Sequence, residues 1–135
     1  MLWNAMLAEG LIEYGFLDEA AELLGRLMQN TVGSLRKDHA FHQAYHADRP
    51  EGLGERNHLA GLAPLDLFLK LIGVTLITPR KIRIRGRSPF SWPVTIRWRG
   101  LEVRRLEKHS MVVFPDGGRI ELDGEEARLV EQAHA

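Results

Sequence analysis

Two hydrophobic periods divide the chain. Leu2, Trp3, Met6, Leu7, Leu11 and Tyr14 recur at the spacing of one helix face, which predicts a helix over 2–14 that stops at Gly15. Asp18 then reads as an N-cap, with Ala20, Leu23, Leu24, Leu27 and Met28 on the apolar stripe of a second helix reaching about Ser34. Glu19 and Glu22 sit near its positive end. The link between these helices is only three or four residues, so they are expected to lie antiparallel as a hairpin. A third helix is predicted over 59–72, with Pro64 near its first turn and Gly73 at its end.

From Val74 onward the period shortens to two. The runs "KIRIRG", "VTIRWRG", "LEVRRLE", "MVVFPDGG", "RIELDG" and "ARLV" read as strands separated by Gly, Pro and Asp-Gly turns. In the first, Ile82 and Ile84 point one way and Lys81, Arg83 and Arg85 the other; Ile96 and Trp98 alternate with Arg97 and Arg99 in the same manner. The expected class is α+β. A helical segment, residues 1–73, is followed by a small antiparallel β-sandwich of about six strands, residues 74–135, with the boundary at 73–79.

Composition narrows the function classes. With 135 residues and 44% hydrophobic positions the chain can bury a core, and with no cysteine it holds neither a disulfide framework nor a thiolate metal site. The N-terminus lacks a basic segment, Glu9 interrupts its apolar run, and Asp66 and Lys70 break the longest later one. A cytoplasmic protein with no membrane span is therefore expected. Net charge is zero but uneven: residues 1–73 hold 6 Lys/Arg against 10 Asp/Glu, and residues 74–135 hold 12 against 8. Between Pro79 and Lys108 ten basic residues face two acidic ones, which raises the question of an anionic partner.

Between the helices lies a polar segment, with Phe41, Gln43 and Tyr45 followed by "EGLGERNH", Glu51 to His58. Taken with N-x-x-L-x-x-G-L-x-x-Y-G from Asn4 to Gly15, the pattern F-x-x-x-Y followed by E-G-L-G-x-R-N resembles the C-terminal end of six-hairpin α/α-toroid glycoside hydrolases. The trehalase, glucosidase I, mannosylglycerate hydrolase and bacterial debranching-like enzymes are of this kind. The resemblance covers about residues 3–73. It implies the end of an α/α toroid and a carbohydrate site lined by Asn4, Phe41, Gln43, Tyr45, Glu51, Glu55, Arg56, Asn57 and His58, with no cofactor. The family's general base is a glutamate at the position of Gln43, and a glutamine cannot accept a proton at neutral pH. The general-acid segment has no counterpart here, and three helices cannot close a ring of twelve. The resemblance thus implies a fragment that does not hydrolyse sugars alone.

Several other readings compete. Gly52 and Gly54 would let backbone amides approach a ligand, or would simply supply turn conformations while Arg56 pairs with Glu51 or Glu55. His39, His42 and His46, spaced three and four apart, would share a helical face and could bind zinc with Asp48 or Glu51. The Gly-x-Gly lacks the Lys-Ser/Thr of a phosphate loop. The arginine-rich stretch with Phe90, Trp92 and Trp98 admits a binding or assembly module for an anionic partner, nucleic acid or acidic protein. Nucleic acid is disfavoured because Trp98 shares a face with Ile96, and the arginines then form a solvated face or meet the acidic helical half. Trp3, Met6, Leu7, Leu65, Phe68, Leu69 and Ile72 read as packing residues. Without the rest of a ring they would leave an apolar surface, which implies a homo-oligomer or a complex with the polypeptide supplying that ring.

Overall fold

The computed structural model describes residues 2–49, 51–61 and 65–132, and the side chains of Leu2 and Ala60 lie outside this description. The chain divides into two compact units, Met1–Phe68 and Leu69–Ala135. The class is α+β.

In the first unit, α1 (Leu2–Glu13) packs on α2 (Leu17–Asp38), joined by a turn in which Phe16 N donates to Leu11 O at 2.8 Å. The core here is small-residue rich: Ala8 of α1 lies with Ala20, Leu24, Leu27, Thr31 and Ser34 of α2, all buried. Thr31 satisfies its hydroxyl by donating to Leu27 O at 2.9 Å. Two details differ from the sequence reading. The N-cap is Phe16, with no side-chain cap bond, and Asp18 falls in the first turn beside Glu19, where both still favour the helix dipole. The helix also runs one turn past Ser34, because Arg36 and Lys37 suit its C-terminal end and His39 closes it in the left-handed conformation, φ 52.

The polar segment is not a loop. It forms a two-stranded antiparallel ribbon, β1 (His42–Tyr45) with β2 (Gly52–Arg56), whose register is irregular between His42 and Ala44. A short 3-10 turn, Leu59–Gly61, follows, and α3 (Leu65–Leu71) follows that. Of the single helix expected over 59–72, the described residues show a 3-10 turn at its start and an α-helix from Leu65 to Leu71, and Pro64 lies outside the described residues. Leu65 is exposed, against expectation, while Leu71 and Ile72 are buried.

Among the described residues the second unit holds seven strands in two antiparallel sheets. β3 (Val74–Thr78), β4 (Lys81–Ile84) and β9 (Arg128–Glu131) form one sheet in the order β3-β4-β9. β5 (Val94–Trp98), β6 (Leu101–Leu106), β7 (His109–Val113) and β8 (Arg119–Asp123) form a four-stranded meander. β3 occupies the segment read as a boundary. Each sheet turns one face inward, as a sandwich requires. Val74, Ile82, Ile84 and Val130 are buried on the smaller sheet, and Val94, Leu101, Val103 and Val112 on the larger. Leu101, Val103 and Arg105 alternate along β6, so the third inward position is a cation. Arg105 is completely buried. Its Nε donates to Ile72 O at 2.9 Å, Nη1 to Ser110 Oγ at 2.5 Å, and Nη2 to Gly86 O at 2.8 Å and Arg85 O at 3.4 Å. Burial lowers its pKa from the ordinary arginine value.

Candidate functional site

In the first unit a pocket of about 270 Å³ lies between α2 and β1. Asn4 of α1, Leu23, Arg26, Leu27 and Asn30 of α2, and Ala44 to Ala47 line it. Helical spacing explains the α2 contribution: positions 23, 26, 27 and 30 share one face. Asn30 Nδ2 donates to His46 O at 3.1 Å and fixes the end of β1 against the helix, while Arg26 is held by Glu22 at 2.6 Å. A second, more open depression continues it past Gln29, Asp48 and Arg49.

Of the residues predicted for a sugar site, the structure brings Asn4 and Tyr45 together in this pocket. Tyr45 is held at its hydroxyl by two bonds. Its hydroxyl accepts from His42 N at 3.2 Å and donates to Gly61 O at 3.1 Å, which leaves the ring to line the pocket. Gln43, Glu51, Glu55, Arg56 and Asn57 are exposed along the ribbon and do not line it, and neither do the partly exposed Phe41 and His58. Arg56 Nη2 donates to Asp38 O rather than pairing with Glu51 or Glu55; Glu51 Oε2 lies 3.9 Å from Arg49 Nε. Asn57 has φ 58 and donates its N–H to Phe41 O at 2.6 Å, closing the ribbon.

Of the two uses open to the glycines, close approach to a ligand is not what the space around them allows, and Gly54 takes the positive φ of a turn residue, 76. A Cβ on Gly52 would lie 2.1 Å from the His42 ring, and one on Gly54 would lie 2.6 Å from Gln43 Oε1. The space beside each is filled by the chain's own side chain, not left open to a ligand. Nor do the three histidines share a helical face: His39 caps α2, His42 is buried in β1 and His46 lies at the pocket. Among the described residues no three His, Asp or Glu side chains are grouped to hold a metal ion.

Arg26, Asn30 and His46 are pocket residues that sequence reasoning did not place there. A partial signal was present for the first two, which stand four apart on α2 and flank Leu23 and Leu27 at the margin of its apolar stripe.

In the second unit the basic stretch is dispersed. Arg97 bonds Glu102 at 2.8 Å, Lys81 lies 3.1 Å from Glu131, Lys108 lies 2.7 Å from Glu125 and Arg119 pairs with Glu121. Arg83 and Arg104 are exposed on the outer faces of different sheets. Trp98, as its alternation predicts, stands opposite the buried Leu101 on the inward side and is partly covered, with the Arg99 guanidinium 5.5 Å from its ring centre.

No protein family, curated protein or solved structure matches the chain. Among the described residues no helix is long and apolar enough to cross a membrane.

Proposed function

We propose that the first unit supplies one wall of a carbohydrate site, as the C-terminal segment of an α/α-toroid glycoside hydrolase, and that the second unit is an accessory β domain without catalytic groups of its own. The observation that carries this reading is the convergence of Asn4 and Tyr45, 41 positions apart in the chain, on one pocket already furnished with Asn30, Arg26 and His46. Amides, a guanidinium and an imidazole offer directional bonds to hydroxyls, and the half-buried Tyr45 ring offers a flat apolar surface to a pyranose face. At about 270 Å³ the pocket is smaller than the several hundred Å³ usual for drug-sized ligands, which suits a single ring. Hydrolysis is not assigned to this chain: Gln43 replaces the carboxylate of the resembling family and stands exposed on β1 beside Gly54, outside the pocket.

Titration of the isotopically labelled chain with neutral mono- and disaccharides tests the reading. Saturable amide shifts confined to Asn4, Asn30, Tyr45 and His46, unchanged by salt, are expected. A folded chain that shows no such shifts removes the proposal, and shifts at Arg83 and Arg104 that fade steeply with salt on adding an oligonucleotide point instead to an anion-binding module.

A further inference from the structure

Helix α1 is predominantly apolar, with Asn4, Glu9 and Glu13 its only polar side chains. Among its twelve residues the only charges are Glu9 and Glu13, each already engaged within the chain. A helix of this kind belongs between neighbours on two sides. One side is occupied: Ala8 is fully buried where α1 meets α2. The other carries Trp3, Met6, Leu7, Gly10 and Tyr14, spaced i, i+3, i+4, i+7 and i+11, and it is bare. Trp3 is 80% exposed, Tyr14 84%, and Met6 and Leu7 56% each, with Phe16 continuing the strip beyond the turn. Gly10 makes a notch in this strip, since a Cβ there would touch nothing within 4 Å.

We infer that α1 is a dimerisation helix, pairing antiparallel with α1 of a second copy of this chain. Two observations select a second copy as the occupant. The strip exposes roughly 700 Å² of apolar side chain, taking 150–250 Å² per large aromatic, close to the roughly 800 Å² that each partner contributes to a standard interface. It is also larger than the apolar patch a monomer ordinarily leaves in water. The strip is self-complementary as well: a two-fold axis between Ala8 and Glu9 sets Leu7 over the partner's Gly10, Gly10 under the partner's Leu7, and Trp3 against the partner's Tyr14. A knob meets a hole and an aromatic meets an aromatic, as an isologous contact demands. The inference does not rest on the sugar reading.

Sedimentation equilibrium of the full chain over a range of micromolar concentrations is the test, run on the native sequence, Leu7→Lys and Gly10→Leu. Leu7→Lys puts a charge on a residue already exposed in the protomer. Gly10→Leu fills the notch while raising the intrinsic stability of the helix. A discrete dimer is expected for the native chain, weakened roughly thirtyfold or more by either change, the scale of a central hot-spot residue, with the circular dichroism of the protomer retained. A native chain that stays monomeric overturns the inference and leaves the strip to another polypeptide. A dimer unaffected by both changes, or open-ended association without a discrete dimer, overturns it equally.

Discussion

Arg105 and Ser110 stand directly opposite each other on β6 and β7, and the guanidinium donates to the hydroxyl at 2.5 Å inside the sandwich. Among the described residues no carboxylate pairs with this buried cation; three backbone carbonyls and one serine satisfy it instead. The bonds tie the entrance to β3, the exit from β4 and the centre of the meander to one side chain.

Replacing Arg105 with Met therefore leaves the carbonyls of Ile72 and Gly86 buried without donors. The change is expected to cost about 3 kcal/mol, against about 1.5 kcal/mol for Ser110→Ala, which removes one charge-assisted bond and leaves the guanidinium its other partners. Urea unfolding followed at the tryptophans of the second unit measures both. A neutral Arg105→Met would show that the carbonyls find other donors.

Gly73 and Gly25 are predicted to respond in opposite directions. Gly73 has φ +70, and an added Cβ would lie 1.8 Å from Arg85 O, so Gly73→Ala is expected to lose about 3 kcal/mol or more through strain and displacement of that carbonyl. Gly25 sits inside α2 with nothing within 4 Å of an added Cβ, and Gly25→Ala is expected to gain about 0.5–1 kcal/mol. Thermal melting of the two variants checks the pair.

Tyr45→Phe separates scaffold from recognition. The change removes the bridge between His42 N and Gly61 O and is expected to destabilise the first unit by about 1–2 kcal/mol. The ring remains in the pocket, so saccharide-induced shifts at Asn30 and His46 should persist. Hydrogen exchange at His42 reports the first effect, and loss of the shifts would mean that the hydroxyl itself faces the ligand.

Asp116 gives the chain an acid-sensitive turn. Gly118 N donates to its Oδ1 at 2.8 Å, and this bond, with smaller contributions from Gln132 and Arg80, holds the carboxylate below its ordinary value. A depressed carboxylate stabilises the folded state above its unfolded pKa of about 3.9, and that contribution is lost as pH falls through the lower folded value. The turn between β7 and β8 is thus expected to be indifferent to pH from 5 to 8. Below about pH 4 it should loosen, read by exchange of the Gly118 amide, and Asp116→Asn should abolish the dependence.

The change of period at Val74, the helical hairpin and the inward placing of Trp98 were legible in the sequence because a repeated apolar spacing encodes them directly. The β1–β2 ribbon was not. "HQAY" and "GLGER" carry no apolar alternation, and what holds them extended comes from elsewhere in the chain: Asn30 bonding His46 O, Arg56 bonding Asp38 O, and His42 filling the space beside Gly52. The extra turn of α2 was hidden for a similar reason, since Thr31 and Ser34 are polar yet buried. Arg105 was readable in principle from the alternation Leu101, Val103, Arg105, but a charge at an inward position reads as a break in the pattern until its four acceptors are seen. The pocket depends on α1, α2 and β1 meeting, and no local period announces such a meeting.

The pairing of β9 with β4 sets the order in which the second unit can be completed. The meander β5 to β8 joins neighbours in sequence, so it can assemble as each hairpin leaves the ribosome. The β3–β4 ribbon emerges first and keeps one side of β4 unpaired until Arg128–Glu131 has been synthesised. The earliest strands of the second unit therefore wait longest for their partner, and during that interval Ile82 and Ile84 sit beside an open edge of the kind that chaperones guard.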